Sequence, residues 1–97
     1  MEIFVTAAQG AGKTILAQRI ATEYVLLLQA TKEKPMRITN TFDYGKTLED
    51  DVAGSDVIIF EDIPDQSVLL RCRLVHKQAG RKPLCIYVTD ERIDVQI

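Results

Sequence analysis

The sequence predicts an α/β fold in three layers, with a mostly parallel sheet of four or five strands between layers of helices. Short runs of β-branched or aromatic residues alternate with longer amphipathic segments. Glycines and prolines fall at the junctions between these segments. Strands and helices that alternate along a chain form a parallel sheet through right-handed crossovers. Because 97 residues suffice for one core and no linker interrupts them, we expect a single domain over residues 1–97.

The predicted elements follow the order β-α-β-α-β-α-β. The strands are the runs rich in β-branched or aromatic residues at Ile3–Thr6, Met36–Thr41, Val57–Phe60 and Leu84–Thr89. The tail Ile93–Ile97 is either a fifth edge strand or a frayed end. The helices are predicted at residues 13–32, 46–53 and 65–79.

Apolar periodicity predicts which sides of the two longer helices meet the sheet. In the first helix the polar residues fall largely on one side. Two apolar rows share the other, namely Leu16, Ile20, Tyr24 and Leu27 beside Ala17, Ala21, Val25 and Leu28. The third helix carries one apolar stripe, formed by Val68, Cys72, Val75 and Ala79.

Composition and charge exclude several classes of function. The formal net charge is -2, which argues against a general electrostatic nucleic-acid binder but leaves room for a local basic patch. Cys72 and Cys85 lie in apolar runs, so we expect buried, reduced thiols. One histidine and no cysteine–histidine cluster argue against a transition-metal site. No apolar run is long enough to span a membrane and no signal-peptide pattern opens the chain, so we expect a cytoplasmic protein.

Residues 7–14, AAQGAGKT, carry the strongest functional signal. They follow the first predicted strand and open the first predicted helix. They match the phosphate-loop pattern G-x-x-x-x-G-K-[S/T], except that Ala7 stands at the first glycine position. Gly10 and Gly12 allow backbone conformations that a β-carbon obstructs, so successive N–H groups can converge on an anion. The helix N-terminus adds further N–H donors.

Residues 8–14 of this loop each have a predicted role in binding ATP and Mg²⁺. Lys13 reaches the β- and γ-phosphate oxygens, and the Thr14 hydroxyl binds Mg²⁺. The remaining contacts to the nucleotide come from Ala8, Gln9, Gly10, Ala11 and Gly12. The alternative interpretation is a glycine-rich turn without a ligand.

The third predicted strand ends in two acids, Glu61 and Asp62. A carboxylate at the C-terminal end of this strand faces the phosphate loop, where it can hold Mg²⁺ while its neighbour orients the attacking water. By position, Glu61 takes the metal role and Asp62 the water role. The alternative is that both acids only solvate the strand end.

These two segments resemble the Walker A and Walker B elements of P-loop NTPases. The usual Walker B order is Asp then Glu, whereas this chain has Glu61 then Asp62. The fourth predicted strand is similar to the one that separates the Walker A and Walker B strands in additional-strand NTPases, which include the AAA+ proteins. The resemblance implies that Thr89, at its end, senses the γ-phosphate; a plain hydroxylated strand end is the alternative.

A further likeness covers the segment VHKQAGRKPLCIYVTDERID. It is similar to the stretch after Walker B in phage assembly and DNA-pumping ATPases of the FtsK/HerA and Zot-like kind. Those proteins often carry a Gln at the strand end, where this chain has Thr89.

A basic cluster surrounds the third predicted helix and consists of Arg71, Arg73, His76, Lys77, Arg81 and Lys82. By helical spacing, Arg73, Lys77 and Arg81 face water. They form a solvated face, a contact to a DNA backbone or a source of an arginine finger. Leu70 and Leu74 lie near the same outer face, so we predict a homo-oligomer or protein-partner contact there. His76 is interpreted as a packing or surface residue.

Three functions remain open at this point. The favoured one is a minimal Mg²⁺-dependent ATPase in a phage or plasmid DNA-related or assembly process, with Lys13, Glu61, Asp62 and Thr89 as catalytic residues. The alternatives are a nucleotide-binding module without hydrolysis and a small-molecule phosphotransferase. A strand between the Walker A and Walker B strands favours the ATPase, whereas direct adjacency favours the phosphotransferase. No N-K-x-D motif is present, which argues against a GTPase.

Overall fold

The structure of the chain is a computed structural model that describes residues 1–7, 10, 12–29, 36–42, 44–45 and 47–90. Its four strands are β1 (Glu2–Ala7), β2 (Ile38–Thr41), β3 (Val57–Ile63) and β4 (Leu84–Asp90). Its three helices are α1 (Lys13–Gln29), α2 (Leu48–Gly54) and α3 (Gln66–Gln78). The predicted tail strand at residues 93–97 lies outside the described residues. No helix in the described ranges has both the length and the apolar character needed to cross a membrane.

The four strands form one parallel sheet in the order β1-β4-β3-β2. The last strand in the chain therefore lies between β1 and β3. Its pairing with β1 runs from Glu2 opposite Cys85 to Ala7 opposite Asp90. One apolar cluster joins α1 to one face of the sheet, and a second joins α2 and α3 to the other face. The predicted three-layer α/β fold is confirmed.

Small residues bring α1 close to the sheet. Ala17 and Ala21 are 0% and 1% exposed, and they belong to the cluster that includes Ile59 of β3. In the neighbouring row, Ile20 and Tyr24 are partly buried and pack against this cluster as predicted. The prediction is wrong for the two ends of that row, because Leu16 and Leu27 are 50% and 77% exposed. Adjacent rows lie about 100° apart around a helix, so only one row can make the closest approach to the sheet, and here it is the alanine row.

The opposite face is built from larger side chains. Leu69, Cys72 and Val75 of α3 pack against Phe60 and Tyr87 of the sheet. The N-terminus of α3 is fixed by Asp65, whose carboxylate accepts a hydrogen bond of 3.0 Å from the Val68 backbone N–H. Val68 and Ala79, the other two positions of the predicted apolar stripe, are only partly buried.

Both cysteines are free and buried, as predicted. Burial raises the pKa of Cys72 to about 12 and that of Cys85 to about 12. The two thiols are therefore neutral at physiological pH and act as small apolar core groups.

A bulge interrupts β3 near its C-terminal end. Phe60 pairs with Tyr87, but Ile63 pairs with Thr89, so β3 contains one residue more than β4 over this stretch. Asp62 adopts a positive φ of 45°, which is uncommon for a residue other than glycine. The two neighbouring acids have different environments. Glu61 is buried, at 2% exposed, whereas Asp62 lies at the bulge and is exposed.

The assignment of core and surface leucines predicts a large contrast between two equivalent truncations. We expect Leu69→Ala to reduce the free energy of unfolding by about 2–5 kcal/mol, because Leu69 is 1% exposed and leaves a cavity. Leu27→Ala should change it by about 0.5 kcal/mol or less, since that side chain is 77% exposed. Urea unfolding measures both. Equal losses in the two variants would contradict the described packing of α1.

Candidate functional site

The candidate site lies where the carboxyl ends of the parallel strands meet the N-terminus of α1. Gly10 and Gly12 adopt positive φ angles of 86° and 82°. An added β-carbon at either glycine meets no atom within 4 Å, so the constraint is backbone conformation and not crowding. The Gly12 carbonyl accepts the Leu16 N–H at 3.1 Å and so begins the helix. The predicted contact residues at positions 8, 9 and 11 lie outside the described residues.

A hydrogen bond joins the first turn of α1 to the end of β3. The Thr14 hydroxyl donates to Glu61 Oε2 at 3.0 Å. The Asn40 side-chain amide of β2 donates to Glu61 Oε1 at 3.4 Å. Both carboxylate oxygens of this buried acid therefore have a partner, which offsets the cost of burying it. The two residues predicted to hold a metal are thus in direct contact.

The donor set around Glu61 fits Mg²⁺ better than a transition metal. The residues that the structure describes contain no group of three or more His, Cys, Asp or Glu side chains arranged to hold a metal. Mg²⁺ is bound in nucleotide sites through one or two protein oxygens, with phosphates and water as the other ligands. One hydroxyl and one carboxylate, from Thr14 and Glu61, are such a set.

Lys13 contacts the end of the central strand. Its Nζ donates to the Thr89 carbonyl oxygen at 3.0 Å. The Thr89 hydroxyl lies 2.6 Å from the Thr6 hydroxyl on β1, and Thr89 is fully buried. Thr89 therefore meets Lys13 through its main chain, while its side chain is engaged by a neighbouring strand. That Thr89 senses a γ-phosphate stays a prediction.

Asp62 is the most loosely placed of the predicted site residues. It follows Glu61 directly, but the bulge turns its backbone into the left-handed region and leaves it exposed. Its role in orienting water stays a prediction.

Sequence reasoning missed two residues that hold Glu61, namely Asn40 and Tyr44. The Tyr44 hydroxyl donates a short hydrogen bond to the Glu61 carbonyl oxygen. Burial, with smaller contributions from nearby anionic groups, raises the pKa of Tyr44 above its ordinary value, so the phenol stays protonated and can donate. Arg71 fixes the same loop by donating to the Tyr44 carbonyl at 3.0 Å. Asn40 lies in a strand of otherwise β-branched residues, which was a usable signal, whereas nothing in the sequence marked Tyr44.

The prediction that Arg73 faces water is wrong. Its guanidinium binds the Glu2 carboxylate through two hydrogen bonds of 3.1 and 3.2 Å, and it lies 5.6 Å from the centroid of the Phe4 ring. The reason is that Arg73 projects from the flank of α3 towards the edge strand β1. Arg81 remains exposed but forms an ion pair with Asp56.

No protein-family model, curated protein or solved structure matches this chain. Functional inference therefore depends on the geometry of the site and on the order of the strands.

Backbone conformation in the glycine turn gives a direct prediction. We expect Gly10→Ala to lower the free energy of unfolding by about 1–2 kcal/mol, because φ is 86° although space for a methyl group is open. Gly80→Ala is the matched control: it also has open space but no positive φ, and we expect it to be neutral or stabilising by up to about 1 kcal/mol. Thermal unfolding compares the two, and a neutral Gly10→Ala variant would contradict the described turn.

Proposed function

We propose that this chain binds ATP with Mg²⁺ at the candidate site and hydrolyses it as a minimal P-loop ATPase. The observation that carries the proposal is the 3.0 Å hydrogen bond between Thr14 and Glu61. It brings a hydroxyl from the first turn of a helix and a buried carboxylate from a strand end to one point beside a positive-φ glycine turn. A Mg²⁺–phosphate site requires these groups in this arrangement.

The residues of the chain act by positioning and by electrostatic stabilisation. Backbone N–H groups at Gly10, Gly12 and the start of α1 bind phosphate oxygens. Lys13, which otherwise rests on the Thr89 carbonyl, exchanges this neutral acceptor for a charged phosphate oxygen, a stronger partner. When bound, Mg²⁺ neutralises charge on the phosphates. Thr14 and Glu61 are the residues that would hold it.

The strand order supports an ATPase of the additional-strand class over a phosphotransferase. β4 lies between β1, which precedes the glycine turn, and β3, which ends in the acids. Direct adjacency of β1 and β3 was the arrangement expected for the phosphotransferase. Service in a phage or plasmid DNA-related or assembly process, in the cytoplasm, belongs to the same proposal and draws on sequence resemblance alone.

A second candidate is a nucleotide-binding module that does not hydrolyse its ligand. The observation that favours it is the position of Asp62, which is exposed and follows a bulge. A carboxylate in that position orients water poorly unless binding or a partner rearranges the strand end. The two candidates differ in turnover and share the binding site.

Phosphate release from ATP in the presence of Mg²⁺ tests the proposal. We expect Lys13→Ala to lower kcat/KM by about 10²-fold or more, because it removes the positive charge that stabilises the transferred phosphoryl group in the transition state. Arg19→Ala removes one positive charge from an exposed position on α1 and should leave the rate unchanged. Equal, measurable rates in wild type and Lys13→Ala would contradict hydrolysis at this site. Stabilisation by ATP that Lys13→Ala abolishes, without any phosphate release, would identify the non-hydrolysing module.

The exposed leucines of α3 give a separate prediction about partners. Leu70 and Leu74 are 54% and 55% exposed and lie one helical turn apart. If they form a contact between copies of the chain, gel filtration with ATP should show an oligomer that Leu70→Ser with Leu74→Ser dissociates. A strict monomer with and without ATP would contradict self-association through this face.

A further inference from the structure

A pocket lies at the opposite end of the sheet from the glycine turn. It has a volume of about 460 Å³ and is lined by Met1, Glu2, Phe4, His76, Lys77 and Lys82. Glu2 begins β1, His76 and Lys77 lie in the last turn of α3, and Lys82 precedes β4. The pocket is therefore at the amino ends of the strands, beside the edge strand β1. Its volume falls within the range of about 300–1,000 Å³ that small-molecule sites occupy.

The pocket has excess positive charge. The Glu2 carboxylate accepts two hydrogen bonds from Arg73 and one of 2.8 Å from the Tyr87 hydroxyl. Burial raises the pKa of Glu2, but the bonds from Arg73 and Tyr87 outweigh it, and the net shift is downward. Glu2 is thus an anion whose charge Arg73 balances. Lys77 and Lys82 form no ion pair with any residue in the described ranges, so their charges are not compensated.

A residue that lines the pocket, His76, carries a buried polar atom without a partner among the residues that the structure describes. His76 is 7% exposed, and its Nε2 is buried without a hydrogen-bond partner in the described part of the chain. The ring also has a hydrogen bond to the Pro83 backbone. An unsatisfied buried polar atom is uncommon in a folded protein, and here it belongs to a residue that lines the pocket together with Lys77 and Lys82.

We propose that this pocket binds a phosphate group, held by the ammonium groups of Lys77 and Lys82 with His76 beside it and the Phe4 ring as an apolar wall. A lysine ammonium is a compact point charge that suits phosphate oxygens. Two of them match the charge of a phosphate dianion. The phosphate is carried either by a small soluble molecule, as a dianion, or by the backbone of a single-stranded nucleic acid, where two successive diesters carry one negative charge each; in both cases the lysines bind anionic phosphate oxygens. This site is separate from the proposed ATP site.

The histidine signal in proton NMR reports on this pocket without ambiguity, because the chain has one histidine. We expect inorganic phosphate, added at constant ionic strength, to shift the His76 ring resonances to saturation. The charged groups that face His76 are Glu2, Lys82 and the Met1 amino group. Burial lowers the pKa of the free ring, and a bound anion should raise it. A short oligothymidylate is the second probe, and tighter binding than phosphate identifies a nucleic-acid strand as the source.

Matched variants distinguish binding in this pocket from a general effect of added salt on the His76 signal. Lys77→Gln with Lys82→Gln should weaken binding of the probe at least about tenfold, since both ammonium groups that bind the phosphate are removed. Arg19→Ala should leave binding unchanged, and Lys13→Ala should too because it affects only the glycine turn. A response that is non-saturating, equal in the double variant, or lost in Lys13→Ala would overturn the proposal. Lys77 lies in the last turn of α3, where its positive charge also interacts favourably with the helix dipole, but that role alone predicts no response to phosphate.

Discussion

The hydrogen bond between the Thr14 hydroxyl and the Glu61 carboxylate spans 47 positions of the chain, and the arrangement of the site depends on it. It can form only if the start of α1 and the end of β3 lie at the same edge of the sheet, as parallel strands require. It also requires Glu61 to lie on the α1 face. Strand alternation meets this requirement, because Glu61 follows Val57 and Ile59 at a spacing of two. The bulge between Phe60 and Ile63 then shifts Ile63 to the opposite cluster.

The cost of burying the Glu61 carboxylate explains why several elements converge on it. An unpaired carboxylate in this position would be strongly destabilising. Thr14 and Asn40 satisfy its oxygens, and Tyr44 binds the backbone of the same residue. Three segments of the chain, namely α1, β2 and the residues after β2, thus bind one acid at the end of β3. In the glycine turn, by contrast, the constraint at Gly10 and Gly12 is backbone conformation, since both adopt positive φ and an added β-carbon at either meets no atom within 4 Å.

The sequence predicted the parts of the site that local pattern determines. The glycine turn, Lys13 and Thr14 form one continuous motif, and Glu61 follows an unmistakable buried strand. Asn40 and Tyr44 were missed because their role arises from strand pairing and loop placement, which depend on contacts far apart in the chain. Leu16 and Leu27 of α1 were misassigned for a related reason: two apolar rows satisfy the same periodicity, and only packing against the sheet selects the row with Ala17 and Ala21 for the closest approach.

Measurement of backbone amide shifts during titration with ATP and Mg²⁺ tests the central claim most directly. The glycine amides suit this purpose because Gly10 and Gly12 belong to the turn, whereas Gly54 and Gly80 lie away from the site and serve as internal references within one spectrum. We expect saturable shifts at Gly10, Gly12 and the first residues of α1, with the reference glycines little changed. Shifts no larger at the turn than at the reference glycines would contradict the account of this turn as a phosphate-binding site.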